Sequence, residues 1–76
     1  MPKEHDTVAL TRDLPEQGLA AGDLGAIVHV YPDGMAFEVE FVSLTGKTIA
    51  VATLPVEAVR PVRDREIAHV RQVAAE

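Results

Sequence analysis

The chain has no cysteine and no tryptophan, and aromatic residues make up only 4% of it. Without thiols there are no disulfides and no thiolate metal sites. With Phe37, Phe41 and Tyr31 as the only aromatics, the core has to be built from Val, Leu, Ile and Ala around them. Ser43 is the only serine, so covalent catalysis lacks the nucleophile, base and orienting group that it needs. No apolar run approaches the ~20 residues of a membrane span, and no signal-peptide core is present. The expectation is a cytoplasmic protein without membrane association. Positive charge is also scarce: 7 basic residues face 12 acidic ones, for a formal net charge of −5. That balance repels a phosphate backbone and favours a basic partner, although moderate negative charge also serves solubility alone.

Seventy-six residues make one domain, and so short a chain buries only about 60% of its unfolded surface. A roomy active-site cleft is therefore not expected. The thin core leaves room for further burial by a partner or by a second copy.

Asp6-Thr7-Val8-Ala9-Leu10-Thr11 alternates as a first strand, with Val8 and Leu10 on one face and Thr7, Ala9 and Thr11 on the other. Pro15 and Gly18 end that pattern, and a loop runs to about Asp23 with Leu14 and Leu19 tucked inward. Gly18, Gly22 and Gly25 can take positive φ without steric cost, and Asp23 can cap the turn. Gly25 to Tyr31 reads as a second strand with Ala26, Val28 and Val30 towards the core. This glycine-punctuated loop and strand resemble the long first loop and second strand of small SH3-like barrels.

Pro32-Asp33-Gly34-Met35 is a tight hairpin connection. Ala36 to Val42 then has the clearest period of two in the chain, burying Phe37, Val39 and Phe41 and leaving Glu38 and Glu40 in water. Thr45-Gly46-Lys47 turns into a β-branched fourth strand, Thr48 to Leu54, antiparallel to the third. Pro55 to Ala58 is a single helical or 3₁₀ turn, and Val59 to Val62 is a short closing strand confined to an edge by Pro61. The five strands predict a mainly β fold, a small SH3-like barrel over residues 1–62 whose closure removes most exposed edges. In residues 63–76 the period changes. Ile67, Val70, Val73 and Ala74 recur at helical spacing without glycine or proline, which predicts a short amphipathic C-terminal α-helix packed on the barrel or on a second copy.

No constellation predicts catalysis. His5, His29 and His69 lack the spacing that presents two imidazoles to one metal, so neither a metal nor another cofactor is expected. Glu38 and Glu40 alternate as any solvent face of a strand does, and the glycines near Gly22 precede a strand rather than a helix N-terminus. Nucleic-acid binding calls for a basic stripe with interleaved aromatics, whereas acidic residues surround Tyr31 and Phe37 here. The candidate surface is a protein-binding one: Tyr31 and Met35 as an apolar anchor, with Asp33, Glu38 and Glu40 as an acidic rim suited to a basic partner.

The run from Asp6 to Leu19, with Gly22-Asp23-Leu24-Gly25, Val28-His29-Val30-Tyr31, Phe37 to Phe41 and Val59-Arg60-Pro61-Val62, resembles the small bacterial family called domain of unknown function 4926. The resemblance covers about Lys3 to Val62. It implies an SH3-like barrel with no established activity and no catalytic residues to transfer. Genes of this kind are companions of other small reading frames, which implies an immunity or antitoxin-like role. The expectation is a non-enzymatic protein-binding module. The alternatives are a structural module that self-associates through the C-terminal helix and a nucleic-acid or ribosome-associated accessory domain.

Overall fold

The computed structural model describes residues 2–73. Its strands are β1 (Thr7–Leu10), β2 (Leu24–Val30), β3 (Ala36–Val42), β4 (Thr48–Pro55) and β5 (Val59–Pro61). Short 3₁₀ turns at Pro15–Gln17 and Val56–Ala58 interrupt the connections before β2 and before β5. All five strands lie in one antiparallel sheet of order β4-β3-β2-β1-β5, so β4 and β5 form its two ends.

The turns follow from their residues. Gly18, Gly22, Gly34 and Gly46 all have positive φ. At the β2–β3 connection the Gly34 amide donates to the Tyr31 carbonyl at 2.8 Å, and Asp33 Oδ1 accepts the Met35 amide at 2.9 Å. In the long first loop Asp23 Oδ2 accepts the Ala20 amide at 2.9 Å, and Leu14 and Leu19 bridge each other.

One face of the sheet carries the core: Val8, Leu10, Ile27, Phe37, Val39, Phe41, Ala52, Leu54 and Val59, with Leu19 and Ala58 added from the connections. Phe37, Phe41, Ile27, Val8 and Val39 are its largest fully buried side chains, and each stabilises the fold by about 1.5–3 kcal/mol through burial alone. The period-two reading of β3 holds residue for residue, since Phe37, Val39 and Phe41 are all buried.

The facing of β2 differs from the alternation expected. Ile27 is fully buried, whereas Val28 is exposed and Ala26 lies on the outer face. The cause is a β-bulge between Ile27 and His29: Ile27 stands opposite Val39, His29 opposite Glu38, and Val28 is the extra residue. Inward positions thus change from odd to even numbers, and Val30, opposite Phe37, packs against the core as expected. Gly25 also differs in its reason. Its φ is not positive; instead, a Cβ there would meet Val39 Cγ1 at 2.7 Å and Phe41 Cε1 at 2.8 Å. The glycine is required by close approach to the core.

The C-terminal α-helix expected over residues 63–76 is absent from the described residues 62–73, and Ala74, Ala75 and Glu76 lie outside them. Ion pairs hold this segment out as a strap. Arg60 and Glu66 pair through two parallel hydrogen bonds of 3.0 and 2.6 Å, and Glu66 also accepts the Arg63 amide at 2.6 Å. Arg71 bonds both carboxylate oxygens of Asp23 and the Gly18 carbonyl in the long loop. Arg65, with φ of 70°, breaks any α-helical run. A helix of this length is marginal without packing, and tertiary contacts override its propensity.

Candidate functional site

The outer face of the sheet, opposite the core, has two regions. Register places each residue. Glu38 of β3 stands between His29 of β2 and Thr53 of β4, and Glu40 stands between Ala26 and Val51. Directly opposed residues share a face, so the Glu38 carboxylate is flanked by a histidine and a threonine. Oε1 of Glu38 accepts the Tyr31 hydroxyl at 2.8 Å and the Thr53 hydroxyl at 2.8 Å. Glu40 Oε2 accepts the Thr48 hydroxyl at 2.7 Å. The Tyr31 ring meets His29 edge to face at 4.7 Å, and His29 Nδ1 lies 3.9 Å from Glu4 Oε2.

These hydroxyls act on the carboxylate. The Thr53 hydroxyl foremost, and the Tyr31 hydroxyl after it, hold the Glu38 carboxyl below the usual glutamate range, because a donated hydrogen bond favours the charged form. Among the described residues neither Glu38 nor Glu40 is ion-paired with a lysine or arginine. Their charges are fixed in place and uncompensated. Exposed Val28, Val42 and Val51 lie around them.

The five residues expected to form one partner surface therefore divide. Tyr31, Glu38 and Glu40 line the sheet face, with Tyr31 bonded to Glu38 and Glu40 held separately by Thr48. Asp33 and Met35 sit at the hairpin tip, where Asp33 is occupied with its own turn and Met35 projects at 64% exposure. Sequence reasoning passed over Thr48 and Thr53, which orient the two carboxylates. Their signal lies in the β3–β4 register, which counting outward from the Gly46 turn misses by one residue because of a bulge at Ile49 between the Val42–Thr48 and Phe41–Ala50 pairs.

The second region is an open groove of about 800 Å³ between the strap and the β3–β4 turn. Leu24, Val42, Leu44 and Ile49 line one side and Val62 and Ile67 the other. Ala9 lies within it, directly opposite Leu24 on one strand and Arg60 on the other, which explains why both faces of β1 are buried. Leu44, Ile67 and Val70 are 87%, 92% and 74% exposed. The groove offers apolar surface and the Arg60–Glu66 pair.

Among the described residues no group of three or more His, Asp or Glu side chains is placed to hold a metal ion, and no helix is long and apolar enough to cross a membrane. No curated protein and no solved structure matches the chain. A family model does match, over residues 4–61, which takes in all five strands and ends at the last residue of β5. By that match the chain belongs to the family described as Domain of unknown function (DUF4926).

Proposed function

We propose that the chain is a non-enzymatic protein-binding module of the bacterial cytoplasm, an SH3-like barrel that takes a basic protein partner on the outer face of β2, β3 and β4. The barrel reading is supported by the strand order β4-β3-β2-β1-β5, with β1 between β2 and β5 and a 3₁₀ turn leading into the last strand. The bulge in β2 supports it further, because a bulge bends a strand and helps a sheet to curl.

The single observation behind the binding reading is the pair of carboxylates, Glu38 and Glu40, held by Tyr31, Thr53 and Thr48 hydroxyls with no lysine or arginine paired to either among the described residues. Fixed charges lose little side-chain freedom on binding, and the valines around them supply apolar contact. A lysine- or arginine-bearing surface complements both features.

The test is affinity capture from the cells that encode the protein, with the wild type and the E38Q/E40Q variant as paired baits. A basic protein should be retained by the wild type, weakened about tenfold or more on the variant, and released at high salt. Identical retention by both baits, or retention that is indifferent to salt, would overturn the reading.

A further inference from the structure

The two ends of the sheet are unequal. At one end β5 is three residues long, contains Pro61, and carries Arg60 tied to the strap. Shortness, proline and cover are the usual protections of a sheet edge. At the other end β4 runs for eight residues, Thr-Ile-Ala-Val-Ala-Thr-Leu-Pro, with no charged side chain and no proline before its last position. Nothing among the described residues hydrogen-bonds to its free side.

Which backbone groups are free follows from register. The Val56 amide donates to the Met35 carbonyl at 3.2 Å. In an antiparallel pair the bonded positions alternate, so Leu54, Ala52 and Ala50 are turned to β3. Val51 and Thr53 consequently present both N–H and C=O at the open edge, and the alternation ends at Ala50, because a bulge leaves Ile49 as an extra residue between the Phe41–Ala50 and Val42–Thr48 pairs. The side chains of Val51 and Thr53 stand on the outer face, where both are exposed.

We propose that this edge is occupied by the β4 edge of a second copy, antiparallel about a two-fold axis at Val51. The sequence of β4 is nearly palindromic about that residue. The axis sets Val51 opposite itself, Ala50 opposite Ala52 and Ile49 opposite Thr53. Because Val51 and Thr53 are outward-bonding residues, the Val51–Val51 pair can exchange two hydrogen bonds, and Thr53 of each copy turns its N–H and C=O to the Ile49 segment of the other. A two-fold axis requires a self-complementary patch, and this one brings no like charges together. The nearest carboxylates, Glu40 of each copy, lie in the same row as Val51 and are separated by three strand spacings, roughly 14 Å. That exceeds the Debye length of about 8 Å at physiological salt. The dimer would carry two copies of the Glu38–Glu40 surface on one continuous face.

The experiment is light scattering on the full chain from micromolar to millimolar concentration, at low and high salt, with amide hydrogen exchange at both ends of the range. The apparent mass should rise from 8.2 kDa towards twice that value, at both salt levels, and the amides of Val51 and Thr53 should exchange more slowly in the concentrated sample. Val51→Lys, and separately Thr53→Lys, should stay monomeric while keeping the wild-type circular dichroism spectrum. E38Q/E40Q should dimerise normally, which separates this inference from partner binding. A monomer at all concentrations, a dimer that survives both lysine variants, or a dimer whose β4 amides stay unprotected would overturn it.

Discussion

At the scale of single residues, Gly25 and Glu38 show how a position is decided by what it faces. Gly25→Ala places a methyl within 3 Å of Val39 and Phe41 side chains, so it should destabilise the fold by about 1–3 kcal/mol, and Gly25→Val by more. Chemical denaturation measures both. Since Val39 Cγ1 is the nearest obstacle, Gly25→Ala combined with Val39→Ala should cost less than the sum of the two single changes. A positive-φ explanation gives no such coupling. For Glu38, removal of either hydroxyl donor by Thr53→Val or Tyr31→Phe should raise its pKa towards the ordinary glutamate value, with Thr53→Val having the larger effect. A carbon-detected NMR titration of the side-chain carboxyl reads this directly.

Among the elements, the strap makes a claim about pH. Arg71 lowers the carboxyl pKa of Asp23, and Arg60 with the Arg63 amide holds Glu66 down to about 2 from 4.5. A depressed carboxyl pKa in the folded state adds stability that is complete above the unfolded value and is lost as pH falls through the folded one. The strap should therefore stay docked at neutral pH and loosen as pH drops from about 4.5 towards about 2. Amide exchange of residues 63–73, measured across that interval, should accelerate before the core strands respond. At neutral pH Arg71→Gln should speed trypsin cleavage after Arg63 and Arg65, while leaving the sheet intact. The same segment shows where sequence was least informative. The spacing of Ile67, Val70 and Val73 is helical, but of the competing partners Asp23 is distant in the chain and Arg60 belongs to β5 rather than to the segment. Strands were legible because β3 alternates cleanly and glycines mark the turns, whereas the bulges at Val28 in β2 and Ile49 in β4 left no local signal.

For the whole molecule, the family match and the sheet have the same C-terminal limit at Pro61. A chain ended after Val62 should accordingly fold and keep its β-sheet circular dichroism. It loses the strap and with it part of the cover over Ala9, a loss of about 1 kcal/mol by methylene-scale burial. The midpoint of thermal unfolding should fall by about 4–8 °C, as measured by calorimetry. The candidate surface was only half legible at this scale. Net charge and the Glu38–Glu40 alternation pointed to β3, but assigning Thr48, Thr53 and His29 to the same face required strand order and register. The groove beside the strap had no sequence signal, because its residues come from separate stretches, Leu24 to Ile49 of the sheet and Val62 and Ile67 of the strap.

The bulge at Val28 also bears on how this chain is compared with others. A protein built on the same sheet with an unbulged second strand would match it only with a one-residue gap at that position. Aligned without the gap, His29 would fall where the other chain has a core residue, and every inward side chain on one side of Val28 would be matched to an outward one. The place to open the alignment is inside a strand, where a gap is ordinarily refused.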